Sequence, residues 1–146
     1  MTTVTNMDEA IVEAEEQFGL LLGRVRLFFK NAAQQIHPDL KPVGYKVLSM
    51  IVRVGETNAS VIAEALDTDK SVVSRQVRML EDAGLVVSRA DEKDGRARVL
   101  SPTPEAVERV RAVRAVQQAR LRDQLRSRPE HEVRAFASVL RSLSEG

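Results

Sequence analysis

The sequence predicts a mainly α-helical fold with one small β-hairpin (α+β), in which a winged helix-turn-helix core is flanked by N- and C-terminal helices. Three observations predict this fold. Apolar residues recur at three- and four-residue steps over most of the chain, which is the period of amphipathic helices. Near the middle, two short helical segments are joined by a tight turn. Directly after them, the pattern changes to two short strands around a turn-forming segment.

The composition limits the kind of protein. The 146 residues can form one domain or two small lobes that share a core. Aromatic residues make up only 3% of the chain, so an aliphatic core is expected. The absence of cysteine excludes disulfides and thiolate zinc sites. The spacing of His37 and His131 is not that of a metal motif, so neither a metal site nor a cofactor is expected.

Charge and the N-terminal residues bear on partners and location. The chain has 22 basic and 21 acidic residues, so a surface for nucleic acid would have to come from the placement of charges. The first six residues are polar and are expected to be disordered. Residues 1–7 lack the pattern of a signal peptide, and no apolar run approaches a membrane span. These features predict a cytoplasmic protein without a membrane partner.

Residues 66–85 are predicted to contain one helix with two unlike faces. At about 100° per residue, apolar side chains fall on one face and hydroxyl or guanidinium groups on the other: Val73, Val77 and Leu80 against Ser71, Arg75 and Arg78. The apolar face is suited to a core and the polar face to a polar partner.

The ends of this helix indicate its orientation. Thr68 or Asp69 is expected to cap the start, and Gly84 to end it in the left-handed conformation. The exposed face is basic near its start and acidic at Glu81 and Asp82, which opposes the helix dipole. This gradient is typical of a recognition helix whose N-terminal half enters the major groove of DNA. A solvated helix without a partner is the alternative.

The apolar pattern also predicts the elements on both sides. They are a helix over residues 8–35, a helix over 42–54, a short helix capped by Thr57 or Asn58, strands over 85–89 and 97–101, a helix over 104–126 and a last helix from Pro129. The hairpin directly follows the recognition helix, as a wing does.

The first helix and the last two helices each carry an apolar stripe that needs burial. Because they can cover one another only partly, a second copy of the chain is expected to complete a bundle, which predicts a symmetric homodimer. The predicted organisation is an N-terminal dimerisation helix (1–36), a winged DNA-binding lobe (37–102) and C-terminal dimerisation helices (103–146). A monomeric bundle with the helices folded back is the alternative.

Residues 61–103 resemble the winged-helix core of the multiple antibiotic resistance regulator (MarR) family. The residues that carry the resemblance are Ile62, Ala63 and Glu64, the run from Ser71 to Leu80, Gly84 and Leu85, and Asp94, Gly95 and Arg96. This resemblance implies a dimeric transcription regulator, commonly a repressor, that binds a pseudo-palindromic operator in double-stranded DNA. It also implies that a small phenolic or other aromatic ligand can relieve DNA binding.

The resemblance assigns roles to individual residues. Ser71, Ser74, Arg75 and Arg78 match groove-facing positions of the recognition helix. Arg96 matches the wing arginine that enters the minor groove, and Asp94 matches the carboxylate that steadies it. The residues themselves agree, since a carboxylate two positions away can hold a guanidinium extended. Arg89 and Arg98, on the two strands, are expected to reach phosphates.

The sequence departs from the family pattern after the second strand. The usual Leu-Thr followed by a glycine is replaced by Leu100-Ser101-Pro102-Thr103-Pro104. A stiffer hinge into the following helix is therefore expected, and the sequence leaves open how strongly the protein responds to any ligand.

An effector pocket is predicted where the first, second and fifth helices meet the winged lobe. The polar and aromatic candidates for its wall are Arg24, Phe28, His37, Tyr45 and Lys46, which could bind an aromatic carboxylate by charge and stacking. Each has a plain structural alternative: His37 as a loop residue, Tyr45 as half-buried packing and Phe28 as core.

Two other classes of function fit the sequence less well than DNA binding. The sequence shows no nucleophile elbow, phosphate-cradling glycine loop or metal-ligand cluster, so an enzyme is not expected and no catalytic residue is assigned. The alternative is a winged helix used only for protein contacts. Such a module would leave Arg75 and Arg96 without a role, and duplex binding that falls steeply with salt would argue against it.

Overall fold

A computed structural model of the protein describes residues 6–146. The elements in chain order are α1 (Asn6–Ile36), α2 (Pro42–Val54), α3 (Ala59–Ala65), α4 (Lys70–Asp82), β1 (Val86–Ala90), β2 (Arg98–Pro102), α5 (Pro104–Arg126) and α6 (Glu130–Glu145). The predicted α+β winged-helix fold class is confirmed. The chain separates into two compact units, one ending at Val110 and the other comprising Arg111–Gly146. The three functional segments predicted from the sequence stay a prediction.

The N-terminal helix is longer than expected. Residues 1–5, which the sequence predicts to be disordered, lie outside the described residues. Asn6, predicted to be disordered with them, is instead the first residue of α1. Asp8 and Glu9 lie in the first turn, where their negative charges interact favourably with the positive end of the helix dipole.

An aliphatic core holds the first unit together. α2 packs against α1 and α4, α3 packs against α4, and the hairpin packs against α2 and α4. The largest fully buried side chains are Ile36, Leu48, Ile51, Ile62, Leu80, Leu85, Val47, Val73 and Val110. At Gly44 of α2, an added Cβ would lie 2.7 Å from Oε1 of Gln76 on α4. The side chain of Leu40 also lies against this position, so a larger residue at 44 would require the Leu40 and Gln76 side chains to move.

The segment before α3 does more than cap that helix. Of the two predicted caps, Asn58 fills the position, because its Oδ1 accepts a hydrogen bond from the backbone N–H of Val61 at 2.9 Å. Thr57 instead pairs with Leu100 of β2: its N–H donates to the Leu100 carbonyl at 3.0 Å and its carbonyl accepts from the Leu100 N–H at 2.8 Å. The wing sheet thus continues into the segment before α3.

The start of α4 differs from the prediction. Asp69 occupies the N-cap position, but its side chain makes no capping hydrogen bond. The Thr68 hydroxyl donates to the Leu66 carbonyl at 3.3 Å, within the turn that precedes the helix. The expectation that either side chain caps α4 is therefore wrong, because the hydroxyl of Thr68 serves the turn. Asp67, in the same turn, has a left-handed φ of 48°.

The end of α4 follows the prediction. Gly84 has a φ of 75°, and the N–H of Leu85 donates to the Leu80 carbonyl at 2.9 Å, which is the closing bond of a Schellman motif. Leu85 is fully buried and precedes the strand. β1 begins at Val86 and β2 begins at Arg98, so each strand begins one residue later than predicted.

Thr103 fixes the junction between the wing and α5. Its backbone N–H donates to the Leu85 carbonyl at 3.0 Å, and its hydroxyl donates to the Gly84 carbonyl at 2.9 Å. The same hydroxyl accepts from the N–H of Ala106 at 3.3 Å, in the first turn of α5. The side chain that follows Pro102 thus ties the start of α5 to the end of α4. The stiffness predicted for this hinge stays a prediction.

Several helices leave apolar side chains exposed. On α1 these are Met7, Ile11, Val12, Phe18, Leu20, Leu21, Leu22 and Leu27, and on α5 and α6 they are Val116, Leu121, Phe136, Val139, Leu140 and Leu143. α6 buries none of its residues. Within residues 6–146, no helix has both the length and the apolar character that a membrane crossing requires.

Candidate nucleic-acid interface

The recognition helix α4 has the two faces that its sequence predicts. Val73 and Leu80 are 0% and 1% exposed and Val77 is 6% exposed, so the apolar face is anchored in the core. Arg75 and Arg78 are exposed on the other face. Ser71 is also exposed and Ser74 is partly exposed. The polar face is therefore available to a partner along its whole length.

A cleft of about 670 Å³ lies between the start of α3, the polar face of α4 and the wing. Its lining residues are Asn58, Ala59, Ser60, Val61, Lys70, Ser74, Val77, Arg78, Glu81, Ser88, Arg96, Ala97, Arg98 and Leu100. Lys70, Arg78, Arg96 and Arg98 supply four positive charges, against one negative charge from Glu81. The cleft is therefore suited to a polyanion.

The cleft includes residues that the sequence analysis did not assign. Lys70 is not among the DNA contacts predicted from the sequence. It is four residues from Ser74 and eight from Arg78, which places all three on one face of the helix. That signal could have identified it. Asn58 and Ser60 reach the cleft through the packing of α3 against α4, and no local pattern indicates this.

At the wing tip, Asp94 acts differently from the prediction. Its Oδ1 accepts a hydrogen bond from the backbone N–H of Arg96 at 3.1 Å, and its carbonyl accepts from the N–H of Ala97 at 3.0 Å. The described residues show no ion pair between Asp94 and the Arg96 guanidinium, so the predicted side-chain pairing is not found. The reason is local: an Asp side chain readily bonds the backbone two residues on. Asp94 shapes the turn, and the Arg96 side chain extends into the cleft lining.

The two strand arginines lie on opposite faces of the hairpin. Ser88 is paired with Leu100 and Arg89 with Val99 in the antiparallel register, so Ser88 and Arg89 point in opposite directions. Nη2 of Arg98 donates to the carbonyl of Ser88 at 3.1 Å and to its Oγ at 2.8 Å, on the cleft side.

Arg89 is turned away from the cleft. Its Nη2 lies 3.3 Å from both carboxylate oxygens of Glu56, in the loop before α3. Both side chains are about half exposed or more. The structure therefore separates Arg89 from the basic residues of the cleft, and the predicted phosphate contact gains no support from its position.

The winged lobe is similar in sequence to a known protein family. Residues 39–97 match the model of the MarR family. This winged helix-turn-helix segment is therefore similar to the MarR family. The matched segment contains α2, α3, α4, β1 and the wing tip, and all the residues that line the cleft lie within it, except Arg98 and Leu100.

Solved structures share the fold over nearly the whole chain. YusO from Bacillus subtilis is 21% identical, with a TM-score of 0.76 over 97% of this chain and 99% of its own. FabT from Streptococcus pneumoniae, in a complex with DNA, is 15% identical, with a TM-score of 0.83 over 92% and 95%. The F27L mutant of MepR from S. aureus, bound to an oligodeoxyribonucleotide, is 17% identical, with a TM-score of 0.65 over 90% and 96%. At these identities the similarity establishes the fold.

A comparison with curated protein sequences gave no significant match.

Three of the residues that are predicted to line an effector pocket belong to a cluster of aromatic rings or flank it. Phe28 and Phe29 of α1 lie 6.2 and 5.8 Å from Tyr45 of α2 between ring centroids. Tyr45 is only 2% exposed, which makes it a core residue rather than half-buried. Nζ of Lys46 lies 4.9 Å from the Phe29 ring centroid, a cation–π contact. Phe29 was not among the predicted pocket residues.

The other two pocket candidates lie outside this cluster of rings. Nδ1 of His37 accepts a hydrogen bond from the backbone N–H of Asp39 at 3.2 Å, so His37 has the loop role that was its structural alternative. Arg24 is exposed on α1. Across residues 6–146, no three His, Asp or Glu side chains are grouped so as to hold a metal ion.

Proposed function

We propose that this protein is a transcription regulator that binds a specific sequence of double-stranded DNA through α4 and the wing. The observation that carries the proposal is the cleft, in which four basic side chains from α4 and the wing face one acidic side chain. α4 presents Ser71, Arg75 and Arg78 outward, as a helix in the major groove requires. Structural relatives that were crystallised with DNA support the same partner.

A symmetric homodimer is the proposed active form, acting as a repressor on a pseudo-palindromic operator. In the single chain, apolar side chains of α1 and α6 such as Phe18, Leu21 and Phe136 are more than two-fifths exposed. Burying such side chains against a second copy removes apolar area from water. A two-fold dimer then presents two copies of α4 to half-sites about one helical turn apart.

The test of the proposal is binding to duplex DNA over a range of ionic strength. Because basic side chains that contact phosphates release counterions, the logarithm of the association constant should fall linearly with the logarithm of salt concentration between about 50 and 200 mM salt. The mass of the bound protein, measured alongside, should be that of two chains. A winged helix that serves only protein contacts would show no duplex binding at low ionic strength, and that result would refute the proposal.

Arg96→Ala is predicted to weaken binding chiefly at sites with an A/T-rich minor groove. Such grooves are narrow and electronegative, and an inserted guanidinium gains most there. The measurement compares wild type and variant on two duplexes that differ only in A/T or G/C content at the wing positions. Equal losses on both duplexes would show that Arg96 does not enter the minor groove.

A small aromatic carboxylate is the proposed effector. The exposed cation of Lys46 above the Phe29 ring offers a charge next to an apolar surface, which is the combination such an acid needs. Addition of aromatic acids to the duplex-binding assay should weaken binding.

A further inference from the structure

We propose that Ser88 is a positioning residue that holds the Arg98 guanidinium in the cleft, where its remaining N–H groups bind a phosphate of the duplex. The inference rests on the proposed function and names one contact of that interface. Neither residue lies in a position that local sequence pattern could connect to the other, since they are ten residues apart on different strands.

The geometry of the pair is well defined. In the register of the hairpin, Ser88 is opposite Leu100, and Arg98 is opposite Ala90, so the bond runs diagonally between the strands on one face. Nη2 of Arg98 donates to the Ser88 carbonyl at 3.1 Å and to its hydroxyl oxygen at 2.8 Å. Both residues line the cleft. The guanidinium is thus fixed at the boundary between the wing and the polar face of α4.

The contact leaves most of the guanidinium available. An arginine side chain has five N–H donors, and both bonds to Ser88 use Nη2. Within residues 6–146, neither Nη1 nor Nε of Arg98 has a hydrogen-bond acceptor. The Arg98 side chain is exposed. Nη1 or Nε can therefore donate a charge-assisted hydrogen bond to a phosphate oxygen while Nη2 stays bonded to Ser88.

Arg98 and Arg89 differ in the charge of the side chain that each one contacts. Glu56 is an anion, so it balances the charge of Arg89. Ser88 is neutral, so it orders Arg98 without cancelling its charge. An arginine that is already held in its bound conformation loses less rotamer freedom when it binds. The entropy cost of association is therefore lower. The wing therefore directs one of its two strand arginines to the backbone of DNA.

The experiment measures binding to a duplex of random sequence from about 50 to 200 mM salt for full-length wild type and variants. Arg98→Gln is expected to lower the slope of log affinity against log salt by about 0.9 per bound protomer, because one phosphate contact is lost. Ser88→Ala is expected to lower affinity by about 2- to 10-fold per protomer at every salt concentration, with an unchanged slope, because the contact forms at a higher cost in side-chain entropy.

Three further variants separate positioning from folding. Ser88→Thr retains the hydroxyl and is expected to restore wild-type affinity. Ser101→Ala removes a hydroxyl from the opposite face of the hairpin and is expected to bind as wild type does. In the Arg98→Gln background, Ser88→Ala is expected to cause no further loss, since the two residues act as a unit.

An unchanged slope in Arg98→Gln would overturn the proposal, as would an equal loss from Ser88→Ala with and without Arg98. Failure of Ser88→Thr to restore binding would do the same. In each of these cases wild-type binding to DNA still stands, so the proposed function survives. Absence of duplex binding by the wild type would instead refute the proposed function, and the contact with it.

Discussion

Arg75→Ala should weaken binding to a selected operator by about 1 to 3 kcal/mol while leaving binding to random duplex nearly unchanged, because a paired guanidinium contact to a guanine discriminates by that amount. Arg75 is exposed on α4, between the anchors Val73 and Val77. It does not line the cleft beside the wing. Arg75 is among the exposed positions of α4 that match groove-facing positions, where a side chain can reach base edges.

The measurement requires two duplexes and a control variant. The operator is obtained by selecting bound fragments from genomic DNA with the wild-type protein, and the second duplex has a random sequence of the same length. Arg26→Ala makes the same change at an exposed position of α1 and should alter neither affinity. An equal loss on operator and random DNA would make Arg75 a phosphate contact, and base reading would then have to come from Ser71, Ser74 or Arg78.

The helices and the two faces of α4 could be predicted from the sequence because they depend on local periodicity. Burial of Val73, Val77 and Leu80 follows directly from a repeat of three and four residues. The end of α4 at Gly84 was predictable for a similar reason, since a left-handed residue favours glycine. The start was not, because Thr68 and Asp69 are both good caps by residue type and only the turn geometry shows that neither caps.

The faces of the wing could not be predicted with the same certainty. A strand alternates with a period of two, so the face on which an arginine lies depends on the exact register. Arg89 and Arg98 look equivalent in the sequence, yet one pairs with Glu56 and the other with Ser88. The Glu56 contact spans 33 residues, and no local pattern reports it. The partner of Asp94 was also difficult to predict, because a short carboxylate can reach both backbone N–H groups and nearby side chains. In the structure it accepts a hydrogen bond from the backbone N–H of Arg96.

The cleft itself is a tertiary feature. Its basic residues come from α4 and the wing, and Asn58 and Ser60 come from the start of α3. Their assembly depends on the packing of α3 against α4 and on the pairing of Thr57 with Leu100, which joins the wing sheet to the segment before α3. Most of the charged groups can be identified from the sequence, whereas their arrangement around one concave surface depends on the tertiary fold.

Leu80→Ala should reduce the free energy of unfolding by about 2 to 5 kcal/mol, the cost of removing a fully buried leucine and leaving a cavity. Leu80 is 1% exposed and lies on the apolar face of α4, one residue from Glu81 of the cleft. Denaturant unfolding of variant and wild type at equal protein concentration gives the difference. Val61→Ala truncates a residue of α3 that is 46% exposed and should change stability by less than about 0.5 kcal/mol.

The size of this loss decides whether α4 is held by the face that the DNA-binding proposal needs. If Leu80 anchors the helix, Arg75 and Arg78 must point outward, because at about 100° per residue these positions, five and two residues before Leu80, lie about 140° and about 160° around the helix from it. A loss from Leu80→Ala as small as that from Val61→Ala would mean that the helix is not anchored on that side. The guanidinium groups would then have no fixed direction, and neither base reading by Arg75 nor the cleft beside the wing would follow from the fold.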